Sequence, residues 1–271
     1  MNMKDKTINF HSIQKNTNLS NAKELCLSLM NADSEDEVID ILSKVGYWDN
    51  PRFWRYYGDD ENNWSTFENQ QSRPEEALVE KIINSIDARL MSECLARGIN
   101  PESEKAPKSV REAVAIFFED NPKSCIAGLI KEWRDNKRKS IAETITFAAT
   151  GAKPEEGGPI CYIIADCGEG QTPQMMPSTL LSLKKTNKDR IQFVQGKYNM
   201  GGTGAIAFCG RRGLQLILTK RNPNIVNDNN TDATKDYWGF TIVRREDPGR
   251  NYKKFIYTYL APIDVTKPRE G

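Results

Sequence analysis

The stretch Glu80-Lys81-Ile82-Ile83-Asn84-Ser85-Ile86-Asp87-Ala88 decides how this chain is read. No Gly or Pro interrupts Glu75 to Arg97, so the segment reads as one helix. At about 100° per residue, Glu80, Asn84 and Asp87 fall in one narrow stripe. Val79, Ile83, Ile86 and Leu90 form an apolar stripe beside it and are expected to face a buried layer. Two acids and an amide then stand at the edge of a buried face. Taken alone, E-x-x-x-N-x-x-D is also the pattern of a solvated helix face, so the flanking sequence has to decide.

Upstream, Pro74 suits the first turn of that helix. Two more helices are expected at Ala22 to about Met30 and at Glu35 to about Val45, the second led by Ala32-Asp33-Ser34. Between them and Pro74, residues 46–67 mix Tyr47, Trp48, Phe53, Trp54, Tyr56, Tyr57, Trp64 and Phe67 with Asp, Asn and Arg. Aromatics next to basic residues can stack nucleic-acid bases. The charges here are mostly acidic (Asp49, Asp59, Asp60, Glu61), which favours an irregular segment packed on the main domain. Downstream, residues 98–158 read as a helical insertion, with helices expected over Lys108–Asp120, Pro122–Asn136 and Ser140–Ala149. Its basic cluster, Lys131 to Lys139, is a solvated face or a partner face.

From Pro159 the periodicity changes. Ile160-Cys161-Tyr162-Ile163-Ile164-Ala165 has the composition of a buried strand. Leu214–Thr219, Trp238–Arg244 and Phe255–Leu260 read as further strands. A helix followed by several strands, without β-α-β alternation, indicates an α+β sandwich. The organisation expected is an extension over residues 1–72 and a main domain over residues 73–271.

Composition bounds the chemistry. The chain has 271 residues, 38 Lys and Arg against 37 Asp and Glu, and a net charge of +1, so charge alone does not call for nucleic acid or an anionic membrane. No apolar run approaches the ~20 residues of a membrane span, and Met1 to Asn18 has no apolar signal core. The six cysteines include no C-x-x-C pair. Cys161 and Cys209 sit in apolar runs expected to be buried, and reduced thiols in a cytoplasmic protein are implied. His11 is the only histidine. Ser-His-Asp or Cys-His catalysis and a His-ligated zinc are thereby disfavoured. A general base has to be a carboxylate or a lysine.

Two further motifs follow the helix. The Ile160 strand runs into Asp166-Cys167-Gly168-Glu169-Gly170-Gln171-Thr172-Pro173, a D-x-G-x-G turn that puts a carboxylate at a strand end and lets backbone approach a ligand. A calcium loop would need more oxygen ligands at alternating positions. Then Gln195-Gly196-Lys197-Tyr198-Asn199-Met200-Gly201-Gly202-Thr203-Gly204-Ala205 places four glycines within nine residues. Such a loop can offer N–H groups to phosphate, and it can also be a structural turn. It is neither a Walker A loop nor a dinucleotide fingerprint.

The order of these motifs resembles the GHKL ATPases: gyrase, the heat-shock chaperones, histidine kinases, MutL and the MORC proteins. Leu216-Ile217-Leu218-Thr219-Lys220-Arg221-Asn222 is similar to the chaperone-branch strand whose threonine reaches the adenine pocket, and Trp238-Gly239-Phe240 to the strand after it. Glu80 four residues before Asn84 resembles the gyrase, MutL and chaperone branches rather than the histidine kinases. The likeness covers about Arg73 to Leu260. It implies a Bergerat-type two-layer sandwich, with a mixed, mainly antiparallel sheet and helices on one face.

The resemblance also implies roles. Glu80 would be the general base of ATP hydrolysis. Asn84 would contact Mg²⁺ and the phosphates, with Asp87 facing the pocket and Ala88 allowing close approach. Asp166 would accept from the adenine amine, supported by Thr219, with Gly168 and Gly170 shaping the turn. Gly196, Lys197, Tyr198, Asn199, Met200, Gly201, Gly202, Thr203 and Gly204 would form the phosphate lid, Lys197 being its cation. Two departures stand out: Gln171 replaces a methionine found in many relatives, and the lid lacks the usual G-x-x-G-x-G spacing. In the gyrase and MutL branches a second domain adds a lysine to the γ-phosphate. The chain leaves no room for one, so a further domain, a partner subunit or a homodimer is expected. The Trp-rich opening segment resembles large bacterial GHKL proteins of phage-defence loci. A nucleotide-gated module without turnover is the alternative the sequence leaves open.

Overall fold

A computed structural model describes residues 22–68, 73–120, 127–151, 160–183, 189–196, 201–225, 232–247 and 254–261. The elements in order are α1 (Ala22–Met30), α2 (Glu35–Lys44), β1 (Trp54–Tyr56), α3 (Trp64–Glu68), α4 (Pro74–Ala96), α5 (Val110–Phe118), α6 (Asp135–Ala142), β2 (Ile145–Gly151), β3 (Ile160–Asp166), the short turn α7 (Gly201–Gly204), β4 (Gln215–Lys220), β5 (Trp238–Glu246) and β6 (Ile256–Leu260). This is a mixed α+β chain. Its main sheet runs β1-β6-β5-β4, and β2 pairs with β3 in a separate two-stranded sheet. Every pairing described is antiparallel.

Local chemistry starts the helices where the sequence indicated. Ser34 caps α2, its Oγ accepting from Glu37 N at 3.2 Å, while Glu37 Oε2 accepts from Asp33 N at 3.0 Å. Ser109 does the same for α5, with Glu112 reaching back to Lys108 N at 2.7 Å. These reciprocal caps satisfy N–H groups that a helix start leaves unpaired. Pro74 opens α4 at its first position after Arg73, whose backbone is extended and whose side chain makes no cap hydrogen bond.

The two faces of the main sheet bury different parts of the chain. Leu25, Leu29 and Leu42 of α1 and α2 pack with Trp54, Ile242 and Leu260 on one face. Tyr57, Phe67, Met176, Leu181 and Ile206 pack with Val243, Tyr257 and Tyr259 on the other. The aromatic segment is thus packed as expected. It also supplies the edge strand β1, with Trp54 opposite Leu260. A third cluster joins α4 to α5 through Leu90, Cys94, Val114 and Phe117, closed by Ile191, Phe193 and Val194.

Four expectations are corrected. Ser140–Ala149 is not one helix: α6 stops at Ala142 and β2 begins at Ile145. Seven residue pairs with β3, together with Ile145, Thr146, Phe147 and Thr150, outweigh the helix propensity of the alanines. The described part of Pro122–Asn136 forms only a single turn at Ile130–Glu132 before α6. Gly128 has φ +74°, and Glu119 Oε1 accepts from both Gly128 N and Trp133 Nε1 at 2.8 Å. A positive φ ends helical geometry, and the shared carboxylate holds the bend.

Strand β3 is present but not buried: Tyr162 is 51 % and Ile163 45 % exposed. Among the described residues it pairs only with β2, so it is not an interior strand. Cys161 is accordingly half-buried, as is Cys209. Finally, the Val79–Leu90 stripe is buried only at its far end. Leu90 is 2 % exposed and Val79 56 %, because Val79 and Ile83 line an open cavity. No described helix is long and apolar enough to cross a membrane.

Candidate functional site

Helix α4 organises the site. Its first half borders a cavity of about 530 Å³, into which Arg73, Glu75, Glu76 and Glu80 bring charge. Val79 and Ile83 supply apolar wall, and Gln195 and Gly196 close the opposite side. A volume of this size falls in the range of ligand pockets, about 300–1,000 Å³.

Asp87 lies one turn beyond Asn84 and is fully buried. Both its oxygens accept from Gln195 N at 3.0 Å, and Oδ2 also accepts from Gly196 N at 2.7 Å. The carboxylate therefore holds the root of the glycine-rich segment. Gly196 is there because nothing larger fits: a Cβ would stand 2.7 Å from Asn84 Oδ1 and 3.3 Å from Asp87 Oδ2. Thus Gly196, remote in sequence, is brought against Asn84 and Asp87 of one helical turn. Within the segment, Gly201–Gly204 form α7, which packs on α4, with Thr203 only 1 % exposed. Lys197, Tyr198, Asn199 and Met200 lie outside the described residues.

The Asp166 turn meets α4 one residue further on. Asp166 Oδ1 accepts from Gly168 N at 3.0 Å. Glu169 N donates to Ala88 O at 3.1 Å. A Cβ on Gly168 would lie 2.6 Å from Ala88 Cβ, so the pairing of a glycine with an alanine sets how closely turn and helix approach. Gly170 adopts φ +57°, and a Cβ there would lie 1.7 Å from Lys220 O. Thr219 Oγ1 accepts from Gln171 N at 3.0 Å. The turn is thereby fixed between α4 and the end of β4. Asp166 itself remains exposed. Neither Asp166 nor Thr219 lines the cavity that holds Glu80; α4 connects the two regions.

Sequence reading missed a second tie between the same elements. Asn222 N donates to Glu169 O at 2.9 Å, and Asn222 Nδ2 to Ser92 Oγ at 2.9 Å. Arg221 reaches Gly170 O at 3.2 Å and lies 3.6 Å from Glu169. Ser92 falls on α4 three residues after Arg89 and belongs to no motif, so only its helical phase relative to Ala88 pointed to it.

Lys81 was also missed. Lys81 is half-buried, and this desolvation pulls its pKa down to about 8, against the opposing pull of Cys209 and Glu80. It follows Glu80 directly in sequence, and a lysine that titrates so low is sensitive to small changes in that neighbourhood.

Among the described residues, no group of three or more His, Cys, Asp or Glu converges as a preformed metal site. Comparison of the chain with protein-family models, with curated proteins and with solved structures returns no match.

Proposed function

We propose that this chain is an ATP-binding and ATP-hydrolysing module of the GHKL type, built on a Bergerat-like arrangement of α4 against the strands. The observation that carries this reading is the docking of two remote glycine motifs on successive turns of one helix. Gly196 sits against Asn84 and Asp87, and Gly168 against Ala88, with Thr219 bonded to the second motif. These contacts gather the three motifs along α4, which supports a shared ligand site there. The helix, the turn and the glycine segment have no reason of sequence proximity to meet.

In this reading Asp166, exposed at the end of β3, accepts a hydrogen bond from the adenine amine, and Thr219 fixes the turn that presents it. Asn84 offers an amide oxygen, a hard ligand suited to Mg²⁺. When bound, the ion neutralises charge on the phosphates. Glu80, in the cavity beyond Asn84, takes the proton of the water that attacks the γ-phosphorus. The bond to the bridging oxygen breaks, and ADP leaves with that electron pair. Such a base contributes about 10²–10⁴-fold. Nucleotide-driven closure or dimerisation, coupled to an effector of the kind found in bacterial phage defence, belongs to the same reading.

The test is direct. Equilibrium titration with Mg·ATP and phosphate release are measured for the wild type, Glu80→Ala and Asp166→Asn. Glu80→Ala is expected to bind and not turn over; Asp166→Asn is expected to lose about ten- to a hundredfold in affinity. Wild-type protein without affinity for ATP would overturn the assignment. The second reading is a nucleotide-gated module without turnover. It predicts tight binding with equal, negligible phosphate release from the wild type and Glu80→Ala.

A further inference from the structure

The cavity beside Glu80 has an electrostatic problem for any phosphate-bearing ligand. Glu75, Glu76 and Glu80 all line it, and Arg73 is the one cationic side chain among the described residues that do. Three carboxylates and a polyphosphate cannot share one cavity unless cations stand between them.

Arg73 is placed to be one of those cations. It is the residue just before Pro74, so its position is fixed by the start of α4. Its guanidinium now donates from Nε to Glu75 Oε1 at 2.8 Å, with Nη2 at 2.6 Å from the same oxygen, and lies 3.6 Å from Glu76. These pairs are weakly held. The Arg73 side chain is 61 % exposed, Glu75 59 % and Glu76 46 %, and ion pairs of that exposure are worth about 0–1 kcal/mol. A phosphate group offers the same planar fork two oxygens and more charge. Breaking the two surface pairs therefore costs little, and the guanidinium gains a stronger pair whose attraction works against the repulsion of the freed glutamates.

We propose that Arg73 recognises the terminal phosphate of a nucleoside triphosphate, leaving Glu75 and Glu76 when that phosphate enters the cavity beside Glu80. The inference rests on the nucleotide reading of the site and extends it to a specificity: Arg73 distinguishes triphosphate from diphosphate. It sits seven residues before Glu80, about two helical turns. The terminal phosphate thus lies between the cation and the base, while the rest of the nucleotide runs along α4 towards Ala88. The glutamates have a role in this scheme. They hold the guanidinium over the cavity when no triphosphate is present, and they disfavour stray anions.

The experiment uses the whole chain with two probes, the Mg complex of a non-hydrolysable imido analogue of ATP, and Mg·ADP. Affinities are measured for the wild type, Arg73→Ala and Arg73→Lys. Arg73→Ala is expected to lose about ten- to a hundredfold in affinity for the analogue and to keep its affinity for ADP. Arg73→Lys, which keeps the charge without the fork, is expected to fall between. An unchanged melting temperature, expected for so exposed a side chain, separates loss of recognition from loss of fold. Equal losses for both nucleotides, or no loss for either, overturn the role of Arg73 and leave the nucleotide site standing. Wild-type protein that binds neither nucleotide overturns both.

Discussion

Asp87 Oδ2 accepts a 2.7 Å hydrogen bond from the backbone N–H of Gly196, 109 residues away in sequence. With the two 3.0 Å bonds from Gln195 N to the same carboxylate, this clamps the glycine segment onto α4 at the turn that carries Asn84. The geometry makes Asp87 a positioning residue of the candidate site: its oxygens are directed at backbone.

Asp87→Asn is therefore expected to loosen the segment rather than remove a ligand contact. An amide oxygen in the place of Oδ2 can still accept from both N–H groups, but the amide N–H₂ then stands where Oδ1 faced Gln195 N–H, donor against donor, and its own buried donors go unsatisfied at about 1–3 kcal/mol. A lower melting temperature and faster amide exchange at Gln195 and Gly196 are the expected readouts. Exchange at these positions identical to the wild type would show that the clamp does not hold the segment.

The Gly168–Ala88 contact predicts a rescue. Gly168→Ala puts a methyl 2.6 Å from Ala88 Cβ, and overpacking of this kind costs about 1–3 kcal/mol. Ala88→Gly removes that methyl at a helix-propensity cost of about 1 kcal/mol. The double variant is expected to be more stable than the two single losses added together, though not fully restored, because Asp166 Oδ1 would remain 2.6 Å and Ala88 C 3.0 Å from the new methyl. Strictly additive losses in urea unfolding would mean that the turn and helix do not touch at these two residues.

How much of this was legible in the sequence depends on the range of the forces involved. Helix α4 and the start of α2 after Ser34 are local, and their residues announce them, whereas the cap at Ser109 falls inside the helix expected from Lys108. The Asp166 turn and the glycine segment were visible as motifs because glycines mark close approach, and the structure shows what approaches each one: Ala88 for Gly168, Asn84 for Gly196. The β2–β3 hairpin was not legible. Ile145, Thr146, Phe147 and Thr150 favour a strand, but Ala148 and Ala149 among them read as helix, and the pairing with β3 decides between the two. The exposure of β3 was hidden for the same reason, since an apolar run states what it can bury against and not whether that partner is there. Ser92, Asn222 and Lys81 take their significance from neighbours distant in sequence.

The hairpin gives a third prediction. Phe147 and Tyr162 stack with ring centroids 5.6 Å apart and planes 9° from parallel, yet they are 48 % and 51 % exposed. A cross-strand pair of this kind is worth about 0.2–1 kcal/mol beyond alanine. Phe147→Thr keeps the strand propensity and is expected to lower stability by no more than about 1 kcal/mol. A loss of 3 kcal/mol or more, about the cost of emptying a core aromatic position, would show that this face of the hairpin is covered in solution.

Lys81 gives a pH dependence whose sign is fixed. Burial lowers its pKa from 10.5 to about 8 in the folded chain. Below about pH 8 the ammonium is charged in both states, and the folded state bears the full cost of burying it. Between about pH 8 and 10.5 the unfolded chain binds more protons than the folded one at this site, so stability rises with pH. Above 10.5 the penalty is gone. Lys81→Met removes the titrating group and fills similar space. The variant is expected to be more stable than the wild type at neutral pH, by about 1.4 kcal/mol for each unit by which the pKa is lowered, the attraction to Glu80 being already contained in that lowering. That advantage is expected to shrink across the same window and vanish near pH 10.5. Other groups titrate in this range in both proteins, so the quantity to follow is the difference between their urea midpoints, with unfolding slopes compared at each pH. A difference that stays constant with pH would mean that Lys81 is solvated, and the buried flank beside Glu80 would have to be redrawn.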